Sequence, residues 1–115
     1  MSFQWLDLMD LARDLAGTDN EAYRRAAISR AYYAVFHAGR RRWAQDQGLP
    51  TDRRIEHAPL WEYYRRRPDN AALGEKGRRL LELRRGADYD FAPTCSAKDT
   101  QRALHLAAEL LAALV

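Results

Sequence analysis

The residues of this chain that could carry chemistry lie between Arg24 and Gln47, in a stretch with no proline and a single glycine. In a helix, Arg30, Tyr33 and His37 fall on one stripe, because residues three, four and seven positions apart share a face. Arg30 and His37 would lie roughly 10 Å apart along the axis, with space for a ligand between them. An arginine that stabilises a phosphate and a histidine that exchanges protons near neutral pH suit RNA cleavage through the 2′-hydroxyl.

The same residues also allow a purely structural interpretation. A buried arginine needs a partner, since an unpaired charge away from water is costly. Asp88 and Asp90 follow much later in the chain and are candidate partners for Arg30. His37 would then be a satisfied histidine at an interface. Both interpretations stay open at this point.

Length and composition indicate one soluble domain, residues 1–115, because a chain of this size supports one hydrophobic core but not two. No apolar run approaches the roughly 20 residues of a membrane helix. The first seventeen residues are acidic at Asp7, Asp10 and Asp14 and lack a basic segment before an apolar one, which predicts a cytoplasmic protein without a secretory signal. The lone Cys95 and the scattered histidines predict no disulfide, structural metal or cofactor.

Positive charge comes almost entirely from arginine. Of nineteen basic residues only Lys76 and Lys98 are lysines, which leaves seventeen arginines and a formal net charge of +3. Arginine pairs with phosphate through two parallel hydrogen bonds, so a basic face for RNA or a nucleotide is one interpretation, and ordinary solvated helix faces are the other. The candidate contacts are Tyr33, Arg40, Arg41 and Arg84.

Apolar residues that recur at intervals of three and four predict four main helices, over residues 3–16, 20–47, 71–86 and 96–115. A short third helix, capped by Thr51 and Asp52, is restricted by Pro59 to roughly residues 58–67. Residues 87–93 show no helical period and should link two helices, with Tyr89 and Phe91 tucked against the bundle. The fold class predicted is all-α, an up-and-down helical bundle with the second helix as its spine.

The run Ser29–Ala38, followed much later by Leu83–Asp90, resembles the HEPN family (higher eukaryotes and prokaryotes nucleotide-binding) over nearly the whole chain. The resemblance implies an up-and-down helical bundle that is usually a homodimer. It is closest to small stand-alone prokaryotic members, many of which accompany a minimal nucleotidyltransferase in toxin and antitoxin pairs. Ribonuclease members carry an arginine and a histidine separated by a short spacer, and Arg30 and His37 match the longest spacing of that motif.

Three functions follow from these observations. The first is a metal-independent endoribonuclease of the toxin type that uses Arg30 and His37. The second is a non-catalytic nucleotide-binding or RNA-binding module for a nucleotidyltransferase partner, and the third is a dimerisation domain.

Two further features have two interpretations each. His57 is either a second acid or base or a surface residue of a loop. The aromatic residues beside Arg65–Arg67, which are Trp61, Tyr63 and Tyr64, indicate either a surface for single-stranded RNA or a helix half buried against its neighbour.

Overall fold

The computed structural model describes residues 3–90 and 94–115, which form five α-helices and no β-strand. The helices are α1 (Asp7–Ala16), α2 (Glu21–Asp46), α3 (His57–Arg65), α4 (Ala71–Tyr89) and α5 (Ala97–Leu114), and a single 3-10 turn, Pro68–Asn70, leads into α4. α2 contacts each of the other four helices and is therefore the spine. The predicted all-α bundle is confirmed. Within the described ranges, no helix is both long enough and apolar enough to cross a bilayer.

Side-chain caps fix the beginnings of two of the long helices. The Oδ1 atom of Asn20 accepts hydrogen bonds from the backbone N–H groups of Ala22 and Tyr23, at 2.8 and 3.3 Å, and so starts α2. Ser96 and Asp99 form a reciprocal capping box at the start of α5, with both N–H···O distances at 3.1 Å. Both helices start where the sequence predicts, and Ser96 is the predicted cap of α5, whereas the sequence indicates Thr18 or Asp19, and not Asn20, as the cap of α2.

Trp61 joins α3 to α4 and is 1% exposed. Its ring lies directly on the backbone of α4, where a Cβ atom at Gly77 would come within 2.7 Å of Trp61 Cζ3. A Cβ atom at Gly74 would come within 2.7 Å of both Arg65 Cα and the Trp61 carbonyl oxygen. The two glycines, which by propensity only weaken α4, therefore allow α3 to approach it closely.

The end of α4 differs from the prediction. The helix continues past Gly86 to Tyr89, so the predicted linker begins three residues too early. Arg25 of α2 explains the extension, because its Nη1 group donates hydrogen bonds to the carbonyl oxygens of Gly86, Ala87 and Asp90 at 3.2, 3.0 and 2.6 Å. Tyr89 is 68% exposed and is not tucked against the bundle. Phe91 lies outside the described residues.

The beginning of α1 and the cap of α3 also differ from the prediction. α1 begins at Asp7 instead of residue 3, and Trp5 lies in the preceding turn. α3 begins at His57 after Glu56, and Thr51 and Asp52 form a separate turn instead of a cap. Pro59 is tolerated because it lies in the first turn of α3, where its missing N–H group would lack a helical partner anyway.

Candidate functional site

α2 carries both residues predicted to be catalytic, but their surroundings differ. Arg30 is exposed and makes no hydrogen bond or ion pair with the rest of residues 3–90 and 94–115. His37 is partly buried two turns further along the same stripe, about 10 Å away along the helix axis. The structural interpretation requires a buried Arg30, and this requirement is not met.

The indole of Trp5 covers His37. The two rings stack with their centroids 3.5 Å apart and their planes inclined by 16°. Nδ1 of His37 is buried and has no hydrogen-bond partner among the described residues. Burial is the main cause that lowers the pKa of His37 from 6.5 to about 4, and the positive charges of Arg40 and His57 act in the same direction. His37 is therefore neutral at pH 7.

Two hydrogen bonds in series hold His57 against α2. Nε1 of Trp61 donates to the Tyr32 hydroxyl over 3.1 Å, and that hydroxyl lies 2.7 Å from Nδ1 of His57. Burial raises the pKa of Tyr32, so its hydroxyl keeps a proton that it can donate. Burial also lowers the pKa of His57, and the positive charges of Arg84 and Arg85 lower it further. A neutral His57 that accepts at Nδ1 carries its own proton on Nε2.

Two rings of α2 contact both histidines. The centroid of Phe36 lies 5.4 Å from that of His37 and 4.2 Å from that of His57. The corresponding distances from Tyr33 are 6.3 and 5.9 Å. We call these four residues together with Tyr32 the histidine cluster. It is built from the middle of α2 and the first residue of α3.

Arg84 of α4 places a positive charge beside the histidine cluster. Its side chain is 13% exposed, and its Nη2 group donates to the Tyr33 hydroxyl over 2.7 Å. Its Nε atom lies 2.8 Å from Oδ2 of Asp88, although the N–H bond is not aimed at that oxygen. Ser29 donates to the same oxygen over 3.2 Å. Asp88 therefore holds Arg84 in place and partly neutralises it.

This arrangement corrects the predicted ion pair. The structural interpretation pairs Arg30 with Asp88 or Asp90, whereas Asp88 pairs with Arg84, four residues earlier on the same helix. Asp90 accepts a hydrogen bond from Arg25 through its main-chain carbonyl group. The signal for the observed pair is present in the sequence, because an arginine and an aspartate four residues apart face each other on a helix. Because the predicted helix ended at Gly86, Asp88 fell outside it and the pair was not predicted.

The other predicted contact residues lie along α2 beyond His37. Arg40 is partly buried, donates to the carbonyl oxygen of Asp52 over 3.2 Å and has a buried Nε atom without a partner in the described structure. Arg41 is exposed. Arg40 is close enough to His37 to lower its pKa, so it belongs to the surroundings of the histidine cluster.

A metal site is not apparent in residues 3–90 and 94–115, since no group of three or more His, Cys, Asp or Glu side chains is arranged to hold an ion. Comparison with protein-family models, with curated proteins and with solved structures finds no match for this chain.

Proposed function

We propose that this chain is an RNA-interacting domain of the HEPN type that cleaves RNA without a metal ion. The observation that carries the proposal is the approach of His37 and His57 across Phe36 and Tyr33, beside the charge of Arg84. Cleavage of a phosphodiester needs one group that accepts a proton, one that donates a proton and a positive charge near the phosphate. The cluster and its arginines contain all three.

In the proposed reaction the 2′-hydroxyl attacks the adjacent phosphorus while the bond from phosphorus to O5′ breaks. His37 suits the role of base, because its lowered pKa keeps it neutral. It would accept the proton of the 2′-hydroxyl. A protonated His57 would donate a proton from Nε2 to the leaving O5′, while Tyr32 accepts a hydrogen bond from Nδ1. The products are a 2′,3′-cyclic phosphate and a 5′-hydroxyl.

The arginines have separate roles in this proposal. Arg30 is exposed on the same stripe as His37 and is free to bind a phosphate next to the one that is cleaved. Arg84 is held by Tyr33 and Asp88. It therefore supplies a positive electrostatic field at a fixed position and does not itself move to contact the RNA. Arg40 and Arg41 extend the positive charge along α2.

Homodimerisation, which the family resemblance implies, is part of the proposal. The start of the chain supports it, because Phe3, Trp5 and Leu6 are 59, 45 and 46% exposed. Large apolar side chains exposed side by side commonly mark an interface. Basic residues of a second subunit would complete the cleft at Arg30 and His37.

The value of kcat/KM for RNA cleavage is expected to peak below pH 6.5. The free protein must have one neutral and one protonated histidine, and the pKa values of both are lowered from 6.5, that of His37 to about 4. As the pH rises above the higher of the two values, the acid loses its proton and the rate should fall about tenfold per pH unit. Initial rates on one RNA from about pH 4 to about pH 8 measure this profile. An optimum above pH 7 would contradict the assignment.

A second candidate is binding of RNA or a nucleotide without cleavage, in support of a nucleotidyltransferase partner. The cover of Trp5 over His37 favours it, because a ring stacked at 3.5 Å blocks one face of the imidazole. The bond from Tyr32 also occupies one nitrogen of His57. RNA affinity without turnover, unchanged when His37 is replaced, distinguishes this candidate from the first.

A further inference from the structure

A groove lies along the outer side of α3, the helix whose first residue, His57, belongs to the histidine cluster. Its volume is about 790 Å³, which exceeds what a single inorganic phosphate would need and falls in the range of sites for nucleotide-sized ligands. Ala58 and Pro59, the two residues that follow His57, line one part of it. Arg65, Arg66 and Arg67 line the other, where α3 ends. We call this feature the α3 groove.

The arginines at the end of α3 carry more positive charge than their neighbours neutralise. Arg65 and Arg66 share one carboxylate, that of Glu62, at 3.4 and 3.0 Å. Arg67 lies over the ring of Tyr63, 4.9 Å from its centre, and has no ion pair in the described parts of the chain. Three guanidinium groups therefore share one ion-paired carboxylate, which leaves a net positive charge at this end of α3. The remaining arginine of the groove, Arg78, is already bound to Glu75 and Glu82.

We propose that the α3 groove binds the phosphate backbone of a single-stranded RNA and leads that strand to the histidine cluster. This inference rests on the proposed function. From His57 to Arg65, α3 spans about 12 Å, so a strand bound at the arginines reaches His57 within a few nucleotides. The arginines bind phosphates, and the apolar surface of Ala58, Pro59 and Tyr63 offers contact to sugars and bases.

An acidic peptide would also satisfy the charge of the groove. The position of the groove favours RNA, since its lining includes Ala58 and Pro59, which directly follow His57, the residue proposed to donate a proton to RNA. The pairing of Arg67 with the ring of Tyr63 also favours RNA, because an arginine next to an aromatic ring is a common platform for single-stranded bases.

The test compares two double variants with the same change in charge. Arg66→Gln with Arg67→Gln alters the α3 groove, and Arg53→Gln with Arg54→Gln alters two exposed adjacent arginines outside it. Affinity for a fluorescein-labelled, mixed-sequence single-stranded RNA is measured by anisotropy over a range of salt concentrations. The groove variant should bind at least about tenfold more weakly and should reduce the salt slope by about one to two. The matched variant should bind less than about threefold more weakly.

Cleavage of two substrates separates this inference from the proposed function. The groove variant should lose kcat/KM on the long RNA but cleave a dinucleotide at the wild-type rate, because a dinucleotide at His57 does not reach the arginines. Groove-dependent binding without any cleavage would support the groove and overturn the proposed chemistry. Equal RNA affinities for the two double variants would overturn the inference. Binding of poly-glutamate, but not of RNA, through these arginines would also overturn it and assign the groove to an acidic peptide.

Discussion

Replacing His37 with alanine is expected to lower the turnover number for RNA cleavage by about a hundredfold or more and to leave RNA affinity nearly unchanged. Proton transfer acts mainly in the transition state, so its loss affects turnover more than binding. Alanine also removes the ring that stacks on Trp5. His37→Phe keeps an aromatic ring at that position and should lose turnover to the same extent. Single-turnover cleavage and anisotropy on the same RNA give the two quantities.

His105→Ala is the matched control for His37→Ala, and Arg30→Ala tests a second residue of the same stripe. His105→Ala removes a histidine on α5 whose side chain is 79% exposed, and it should leave turnover unchanged. Arg30→Ala should weaken both binding and turnover while changing the free energy of unfolding by less than about 0.5 kcal/mol, because Arg30 is exposed and unpaired. A His37→Ala variant that cleaves RNA at the wild-type rate would contradict the catalytic assignment.

Replacing Gly77 with alanine is expected to lower the free energy of unfolding by about 3 kcal/mol, near the upper end for added volume in a packed interior. The new methyl group would overlap the ring of Trp61, which is 1% exposed and is held by a hydrogen bond to Tyr32. Displacing Trp61 also disturbs its hydrogen bond to Tyr32 and thus the support of His57. Urea unfolding followed by circular dichroism measures the loss.

Gly86→Ala is the matched control for Gly77, since it adds the same methyl group to the same helix. A Cβ atom at Gly86 would have only an ordinary contact, 3.5 Å from Oδ2 of Asp90. The change should therefore be neutral or stabilising by up to about 1 kcal/mol, the difference in helix propensity between glycine and alanine. If both variants unfold at the same urea concentration, the close approach of α3 to α4 described here is wrong.

Local signals predicted the architecture well. Ser96 starts α5 as predicted, because a short polar side chain can bind the free N–H groups of the first turn. At α2, Thr18, Asp19 and Asn20 all have such side chains, so the start of the helix was predicted but its cap, Asn20, was not. The amphipathic patterns of the helices predicted the all-α bundle, because this pattern too is visible within a single segment of the sequence.

Contacts between distant residues account for the differences. Gly86 predicts the end of α4, but Arg25, sixty-one or more positions away in the sequence, binds the carbonyl groups near the end of the helix. The helix therefore continues past Gly86. By helix propensity Gly77 should only weaken α4, but it is the surface on which Trp61 packs. Neither role appears in helix propensity, because both depend on a neighbouring helix.

The candidate site was predicted only in part for the same reason. The stripe of Arg30, Tyr33 and His37 follows from the period of a single helix. The approach of His57 depends on how α3 packs on α2, through the hydrogen bonds of Tyr32 and Trp61. The stack of Trp5 on His37 depends on the turn before α1. No spacing along the chain encodes either contact.

Analysis of the cleavage products is the most direct test of RNA cleavage by the two histidines. Purified wild-type protein is incubated with a single-stranded RNA in the presence of a chelator, and the ends of the fragments are identified by mass spectrometry. We expect cleavage that persists in the chelator and leaves 2′,3′-cyclic phosphate and 5′-hydroxyl ends, because in the proposed reaction the 2′-hydroxyl is the nucleophile and two histidines move the protons. Intact RNA under these conditions, or fragments with 5′-phosphate ends, would contradict it.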